Sequence, residues 1–343
     1  MGMTSSQTTS LYRLVFLLFL VGVGLFALTW SGIIKCGFLP AWCRAYNLVV
    51  GDPKILIVYG DSGLGNPIHD RPDWPGSLEE WLANPGLARA HADTMHVDRI
   101  NLGALRKYRL VIVERARQMS TSQLKTFMDY VNTGGTLVWT GDAGVELSQT
   151  NGIPDVPLYW DEKEENAPHT LVGPWARRSG DEIVAFDEFL GVRYVANYCS
   201  LAPCPENQRL LVGTLKYDQS DKTSLAYGMS SALPLFVFKD QDFAITELIQ
   251  GPTLTEHLYL DLDAPLVGQP VQTKGIPMIT TNGAGGRVAY YALPPEFFAN
   301  ERLKQFPDPL NPGITTGLYT IPLENLYYGL LYGSSKIEKL EWS

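Results

Sequence analysis

Hydrophobic residues run almost without interruption over residues 14–34, LVFLLFLVGVGLFALTWSGII, and none of these 21 positions is charged. Because a helix rises about 1.5 Å per residue, this segment matches the roughly 30 Å hydrocarbon layer of a bilayer. Tyr12 and Trp30 lie near its two ends, where amphipathic rings favour the membrane interface. The pattern predicts a transmembrane helix over 14–34, with a short tail over 1–13 and a juxtamembrane linker over 35–53.

A cleaved signal peptide is the alternative explanation of this segment. Its apolar core would be about 7–15 residues long and would be followed by a small-x-small cleavage site. The observed run is longer, and no A-x-A pattern follows it. We therefore expect an uncleaved membrane anchor.

Beyond the linker, the hydrophobic pattern changes to that of an α/β domain over 54–343. The runs at 54–59 (KILIVY), 108–114 (YRLVIVE) and 136–140 (TLVWT) are continuously apolar, as in strands of a parallel sheet covered on both faces. Capping-box spacings predict helices that begin after Ser77 and after Ser120. Strand, helix and strand in this order favour a mostly parallel sheet flanked by helices, of the flavodoxin-like kind.

The pattern from about residue 151 to 281 predicts few elements. Residues 256–263 (EHLYLDLD) alternate, which predicts a half-buried antiparallel strand with its leucines inward and His257 on the exposed face. Residues 287–293 (RVAYYAL) form a further strand, and apolar positions from Leu323 to Leu331 predict a last amphipathic helix. The sheet therefore carries an antiparallel extension.

Charge excludes one class of partner. The 343-residue chain has a formal net charge of -9 and no cluster of lysine or arginine. An acidic chain of this kind would be repelled by phosphates, so we expect no binding to nucleic acid.

The four cysteines form two close pairs, Cys36 with Cys43 and Cys199 with Cys204. Local pairs in even number favour two disulfides and an oxidising compartment, although four ordinary thiols are the alternative. The charges that flank the span, Arg13 before it and Lys35 and Arg44 after it, lean weakly towards a cytoplasmic domain. We give the cysteines more weight and predict a single-pass membrane protein with an extracytoplasmic domain.

The order of three segments resembles the class I glutamine amidotransferase-like fold, including its trehalose-utilisation-type relatives. These segments are KILIVY, the stretch STSQLKTFMDYVNTGGTLVWTGDAG, and GRVAYYALPPEFF near the C-terminus. The resemblance implies a cysteine nucleophile on a strand-to-helix elbow and a later His-Pro-Glu motif that activates it. Here Asp142 occupies the nucleophile position, and Pro294-Pro295-Glu296 replaces the motif, so Pro294 stands in place of the histidine. The resemblance thus implies a degenerate, catalytically inactive domain.

Two alternatives stay open at the strand ends. Residues 59–63 (YGDSG) are similar to the opening block of GDSL-type esterases, in which the serine, here Ser62, is the nucleophile; the required Asp-x-x-His occurs only at 93–96, too early in the chain. The ends of parallel strands also bind ligands in many α/β folds, which makes Asp61, Ser62, Glu114 and Asp142 candidates for a glycan or small polar ligand.

The sequence therefore predicts a membrane-anchored, inactive domain that acts as an interaction or scaffold subunit. Its expected partners are the bilayer and other membrane-protein subunits. We predict no cofactor and no metal site.

Overall fold

The structure is a computed structural model. It describes residues 5–30, 42–69, 76–84, 87–148, 155–206, 210–229, 232–237, 239, 241–264, 266, 272–283, 285–299 and 317–333. The chain divides into two compact units, Met1–Asp52 and Pro53–Ser343.

The first unit contains two helices, α1 (Ser5–Trp30) and α2 (Trp42–Val50). Within α1, the 19 residues Tyr12–Trp30 have a mean hydropathy of 2.1 and are long and apolar enough to cross a bilayer. The apolar helix therefore exists, although it begins inside the predicted tail, and positions 31–34 of the predicted span lie outside the described residues. The predicted linker contains α2, which the sequence analysis did not foresee.

Helix α2 packs on α1 through contacts that include a hydrogen bond and a ring pair. Trp42 Nε1 donates a hydrogen bond of 3.0 Å to Thr29 Oγ1. The rings of Phe26 and Tyr46 lie 5.3 Å apart. Thr29 and Tyr46 are consequently buried, at 3% and 2% exposure.

The second unit is built on strands and short helices. Its strands are β1 (Ile55–Ser62), β2 (Ala92–His96), β3 (Leu110–Ala116), β4 (Gln118–Met119), β5 (Thr136–Thr140), β6 (Glu146–Leu147), β7 (Asp155–Pro157), β8 (Ala176–Ser179), β9 (Glu182–Ala185), β10 (Val192–Asn197), β11 (Leu210–Lys216), β12 (Leu233–Val237), β13 (Ala244–Leu248), β14 (Thr255–Leu262), β15 (Ile276–Asn282) and β16 (Val288–Tyr291). Its helices are α3 (Leu78–Ala83), α4 (Leu102–Leu105), α5 (Thr121–Asn132), α6 (Trp160–Lys163), α7 (Phe186–Leu190), α8 (Tyr198–Leu201) and α9 (Gly317–Tyr332), with 3-10 turns at Val97–Arg99 and Pro295–Ala299.

Nine strands form one mixed sheet in the order β12-β11-β14-β15-β16-β5-β3-β1-β2. The strands β2, β1, β3, β5 and β16 run parallel to one another, whereas β15, β14, β11 and β12 extend the sheet beyond β16 in antiparallel fashion. Numbered along the chain, the parallel strands follow the order 2-1-3-4-5, which is the order in flavodoxin. The predicted combination of a parallel sheet and an antiparallel extension is confirmed.

The apolar runs form the core because the sheet is covered on both faces. Leu56, Ile57 and Val58 in β1, and Val111 and Ile112 in β3, are all 0% exposed. Ser77 and Ser120 close the predicted capping boxes at the starts of α3 and α5. The last predicted helix is also present, as α9.

The chain between β5 and β16 leaves the parallel sheet. It forms the three-stranded sheet β7-β8-β9, the pair β10-β13 and the antiparallel extension before it returns as β16. Strand β14 lies where the alternating pattern placed it, but the prediction for His257 is wrong. That side chain is only 6% exposed, because Leu225 N–H donates to its Nδ1 at 3.2 Å and Thr281 Oγ1 lies 2.8 Å from its Nε2.

Candidate functional site

Parallel strands bring their carboxyl ends to one edge of the sheet, and here four such ends carry polar residues. Asp61 and Ser62 end β1, Glu114 lies near the end of β3, Asp142 follows β5, and Glu296 follows β16. Open α/β sheets bind ligands at this edge, at the point where the strand order reverses. In the order 2-1-3-4-5 that point lies between β1 and β3.

Asp142, on the elbow after β5, is a buried anchor for three segments. Its carboxylate is 1% exposed. Leu64 N–H donates to Oδ1 at 2.7 Å, whereas Arg117 Nη1 and Asn197 Nδ2 donate to Oδ2 at 2.8 and 3.0 Å. Since both oxygens accept hydrogen bonds, this carboxylate ties the loops after β1 and β3 to the end of β10.

Glu114 and Glu296 form a buried pair of carboxyl groups. They are 0% and 2% exposed, and the charges of the two groups repel each other. Glu296 Oε1 also accepts a 2.5 Å hydrogen bond from Asn66 N–H. Burial, followed by the neighbouring carboxyl, raises the pKa of Glu114 well above its ordinary value of 4.5, and burial raises the pKa of Glu296 as well. Two adjacent buried carboxylates cannot both be charged, so the pair holds a proton between them.

The loop after β1 passes directly over this pair. Gly65 has a φ of +110°, and a Cβ atom there would lie 2.5 Å from Glu114 Cγ, so only glycine fits. Leu64 N–H is bound by Asp142, Leu64 O accepts from Arg115 N–H at 2.9 Å, and the loop ends on the bond between Asn66 and Glu296. Asp142 and Glu296 thus hold this loop in place.

Pro294 lies two residues before Glu296. It is buried, and its carbonyl accepts a 2.9 Å hydrogen bond from Phe297 N–H at the start of the 3-10 turn. A proline side chain has no proton to exchange. The position therefore cannot act as a general base.

Asp61 and Ser62 are the exposed members of the edge. The Asp61 side chain is 97% exposed, and its Oδ1 lies 3.4 Å from His96 Nε2. The other ring nitrogen of His96 lies 3.3 Å from Asp98 Oδ2. Among the described residues, the structure records no hydrogen bond between the Ser62 hydroxyl and His96. Four proposed ligand residues thus share one edge, but Glu114 and Asp142 are enclosed, and Asp61 and Ser62 face solvent.

Cys199 and Cys204 form a disulfide, with Cα atoms 5.3 Å apart. The other predicted pair falls outside what the structure describes, since Cys36 lies in the segment 31–41 and nothing is known of the Cys43 side chain. One metal-compatible group occurs among the described residues, formed by Cys199, Cys204 and Asp242. Because both its sulfurs are oxidised, it offers no thiolate ligand, and the absence of a metal or cofactor stays a prediction.

Sequence reasoning missed several members of this edge. Arg117 bridges Asp142 and Glu146, with 2.6 Å between its Nε and Glu146 Oε1. Asn197 and His96 contact the edge from β10 and β2. Arg117, three residues after Glu114 in VERAR, was the detectable signal, since a strand-end arginine near acidic elbows predicts an ion pair. Asn197 and His96 are brought in only by the three-dimensional fold.

No protein-family model matches the chain, and no curated protein matches it. Similar solved structures include a putative ThuA-like protein from Bacteroides uniformis ATCC 8492, 14% identical, with a TM-score of 0.45 over 82% of this chain and 92% of that one. They also include a beta-galactosidase from Rahnella sp. R3, 14% identical, with a TM-score of 0.40 over 73% of this chain and 30% of that one. Alpha-L-fucosidase isoenzyme 2 from Paenibacillus thiaminolyticus is 11% identical, with a TM-score of 0.42 over 85% and 36%.

The chain thus spans only about a third of the length of these two glycosidases. Likenesses with such TM-scores support no argument about function.

Proposed function

We propose that the protein is a membrane-anchored, non-catalytic interaction subunit, whose α/β domain presents a rigid recognition surface within a membrane complex. The supporting observation is that Asp142 is buried and hydrogen-bonded. At the elbow where an amidotransferase would expose its nucleophile, this chain has a buried carboxylate that accepts hydrogen bonds from three segments. The elbow stabilises the loops and leaves no nucleophile free for acyl transfer.

The other two degenerate positions support the same proposal. Pro294 has no titratable group, and Glu296 is engaged by Asn66 N–H and Glu114. A protein that keeps the fold but lacks the residues for acyl transfer is suited to binding rather than to catalysis. Fold class alone does not dictate this role.

The apolar helix α1 and the disulfide support the proposed location. A 19-residue apolar stretch can hold the domain at a bilayer, and disulfides persist in oxidising compartments. The domain would then work outside the cytoplasm, where neighbouring membrane subunits carry their own exposed domains.

Purification of the full-length protein from its native membranes in a mild detergent tests the proposal. We expect it to elute with stoichiometric membrane subunits at a mass well above 38.0 kDa plus detergent. Crosslinking in intact cells before lysis should capture the same subunits. A monomer in both experiments would refute the scaffold role.

A tethered hydrolase that uses Ser62 is the second candidate, and one contact favours it. His96 belongs to the Asp-x-x-His pattern at 93–96, and β2 places it 3.4 Å from Asp61, the neighbour of Ser62. The pattern therefore lies closer to Ser62 in space than its early position in the chain suggests. The same exposed pair, Asp61 and Ser62, could instead contact a glycan or small polar ligand, which a thermal-shift screen would detect.

A fluorophosphonate probe separates the hydrolase from the scaffold. We expect no labelling of the native membrane protein, and the same background signal from Ser62→Ala and His96→Ala. Labelling that is lost in both variants would establish the hydrolase and overturn the non-catalytic proposal.

A further inference from the structure

We propose that the Cys199–Cys204 pair is a thiol–disulfide exchange site, at which the Asp242 carboxyl group moves the proton and a small-molecule thiol or its disulfide is the reaction partner. This inference goes beyond the interaction role and does not depend on it. It rests on the position of one buried acid beside both sulfurs.

The geometry places the three groups together. Both sulfur atoms and a carboxylate oxygen of Asp242 lie within 4.8 Å of one another. Asp242 Oδ1 accepts hydrogen bonds from Cys199 N–H at 3.0 Å and from Phe243 N–H at 2.8 Å, which fixes the carboxyl group against the disulfide. Cys199 and Cys204 themselves are half-buried, so a small thiol has better access than a folded protein.

A structural disulfide does not need an acid at this place. Asp242 is only 7% exposed, and burying a carboxyl group is costly unless its charge is compensated. Among the described residues, no cation lies within salt-bridge distance of it. Buried acids with shifted proton affinity next to reactive groups are a property of functional sites.

The electrostatics set the pH range of the proton transfer. Burial raises the pKa of Asp242 to about 6, opposed by the two backbone N–H groups and helped by the charge of Asp142. The other titratable groups that face Asp242 are Tyr194 and Tyr198, whose own pKa values are raised by burial. Arg117 pairs with Asp142 and limits its effect. Asp242 is therefore poised to change its protonation state between pH 5 and 7.

The exchange balances in both directions. In reduction, the thiolate RS⁻ attacks one protein sulfur, the S–S bond breaks, and the departing cysteine sulfur takes a proton from the Asp242 carboxyl group, which leaves a mixed disulfide and one thiol. A second RS⁻ attacks the outer sulfur of the mixed disulfide, RSSR forms, and the other cysteine leaves as a thiolate that takes a proton from Asp242 once water has reprotonated that acid. In oxidation, the Asp242 carboxylate accepts the proton of one cysteine thiol, whose sulfur attacks RSSR and expels RS⁻. The other cysteine then attacks the mixed disulfide, the protein S–S bond forms, and a second RS⁻ leaves; each RS⁻ and the protonated Asp242 exchange protons with water. The overall reaction is an equilibrium in which two RSH and the protein disulfide are converted to RSSR and the protein dithiol.

The test uses the full-length protein in detergent, with Cys36→Ser and Cys43→Ser so that only one pair reacts. The reduced protein is mixed with oxidised glutathione between pH 4.5 and 8, quenched with an alkylating agent, and analysed by mass spectrometry. We expect the rate of the parent protein to exceed that of Asp242→Asn by about tenfold or more above pH 6, a low value for general base catalysis. The two rates should converge below pH 5, where Asp242 is protonated.

The control is Asp187→Asn, which changes another buried aspartate whose pKa burial raises but which lies outside the cysteine group. It should react at the parent rate. Equal rates for the parent and Asp242→Asn at every pH would overturn the proposal and leave a purely structural disulfide.

Should Asp242→Asn not fold, the pH profile of the parent protein decides alone. An uncatalysed thiol reacts about tenfold faster per pH unit until its own pKa near 8.5. A break in the profile near pH 6 supports Asp242 as the proton acceptor, and a straight rise through pH 6 contradicts it.

Discussion

At the scale of single residues, buried carboxyl groups determine the charge and the hydrogen bonding at the carboxyl edge of the sheet. Asp142 is buried against Arg117 and two neutral donors, which together hydrogen-bond both of its oxygens. Glu114 and Glu296 have no such cation among the described residues and keep a proton instead. Residues of one chemical type thus act as an ion-pair anchor at one strand end and as a pair of acids that shares a proton at the next.

Because the Glu114–Glu296 pair holds a proton, we predict that the free energy of unfolding falls as the pH rises. Glu114 binds its proton more tightly in the folded chain than in the unfolded chain, where the ordinary pKa of 4.5 applies. Above that value the folded state therefore binds more protons, and the free energy of unfolding decreases by up to about 1.4 kcal/mol per pH unit until the folded pKa is reached. Glu114→Gln, which mimics the protonated acid, should flatten this slope and raise the melting temperature at pH 8.

Denaturant unfolding at several pH values between 5 and 9 measures the slope. Glu165→Gln, at an exposed position, serves as the control and should leave it unchanged. If Glu114→Gln and Glu165→Gln gave the same pH dependence as the natural protein, the shared proton would be absent.

At the scale of elements, buried side chains join the strand ends in addition to the short strand pair β4-β6. Asp142 alone connects the loop after β1, the segment after β3 and the end of β10. Arg117 extends the connection to Glu146 in β6. The elbow after β5 is therefore a junction on which several loops depend.

Asp142→Asn should loosen this junction. The amide nitrogen would face the donors Arg117 and Asn197, and the charge that compensates the guanidinium would be lost. Breaking a fully buried pair costs about 3–5 kcal/mol, and since Arg117 is one-third exposed we expect about 2–3 kcal/mol. Glu146→Gln, which removes the more exposed partner of Arg117, should cost below about 1 kcal/mol.

Chemical denaturation of both variants checks the ranking. Hydrogen exchange at Leu64 N–H should also accelerate in Asp142→Asn if the elbow holds the loop. A larger loss of stability in Glu146→Gln than in Asp142→Asn would contradict the assignment of Asp142 as the anchor.

The sequence was informative where an element carries its own signal. The apolar runs located β1, β3 and β5, and serine caps located α3 and α5, because burial and capping are local effects. The pair β10-β13 escaped prediction because its strands are defined by partners far along the chain. The acidic elbow was visible in the sequence, but its hydrogen bonds to Leu64 and Asn197 were not, since both depend on the tertiary fold.

At the scale of the whole molecule, an apolar helix and an α/β domain share one chain. The unit Met1–Asp52 contains the apolar helix, and the unit Pro53–Ser343 contains the sheet and the disulfide. This arrangement fits a domain that is held at a membrane and folds in an oxidising compartment. It also makes the topology open to a direct experiment.

We predict that the full-length protein stays in the membrane pellet after carbonate and high-salt washes and is released by detergent, because about 19 apolar residues favour the hydrocarbon layer. Replacing Leu18 and Val21 by arginine should shift the protein to the soluble or degraded fraction. In intact cells or spheroplasts, external protease should digest the domain and leave cytoplasmic markers untouched. Protection of the domain would place it in the cytoplasm, and release by carbonate would argue for a cleaved leader.

The long excursion between β5 and β16 has a consequence for how the chain reaches its native state. Strand β5 ends at Thr140, yet its neighbour β16 begins only at Val288. During synthesis, β1, β2, β3 and β5 leave the ribosome well before β16, the last strand of the parallel part of the sheet. Until β16 is synthesised, the backbone groups on that side of β5 have no strand to pair with. Such non-local strand pairing slows folding and leaves an exposed strand edge at which other chains can aggregate. We therefore expect nascent molecules to depend on a chaperone until Val288–Tyr291 is synthesised.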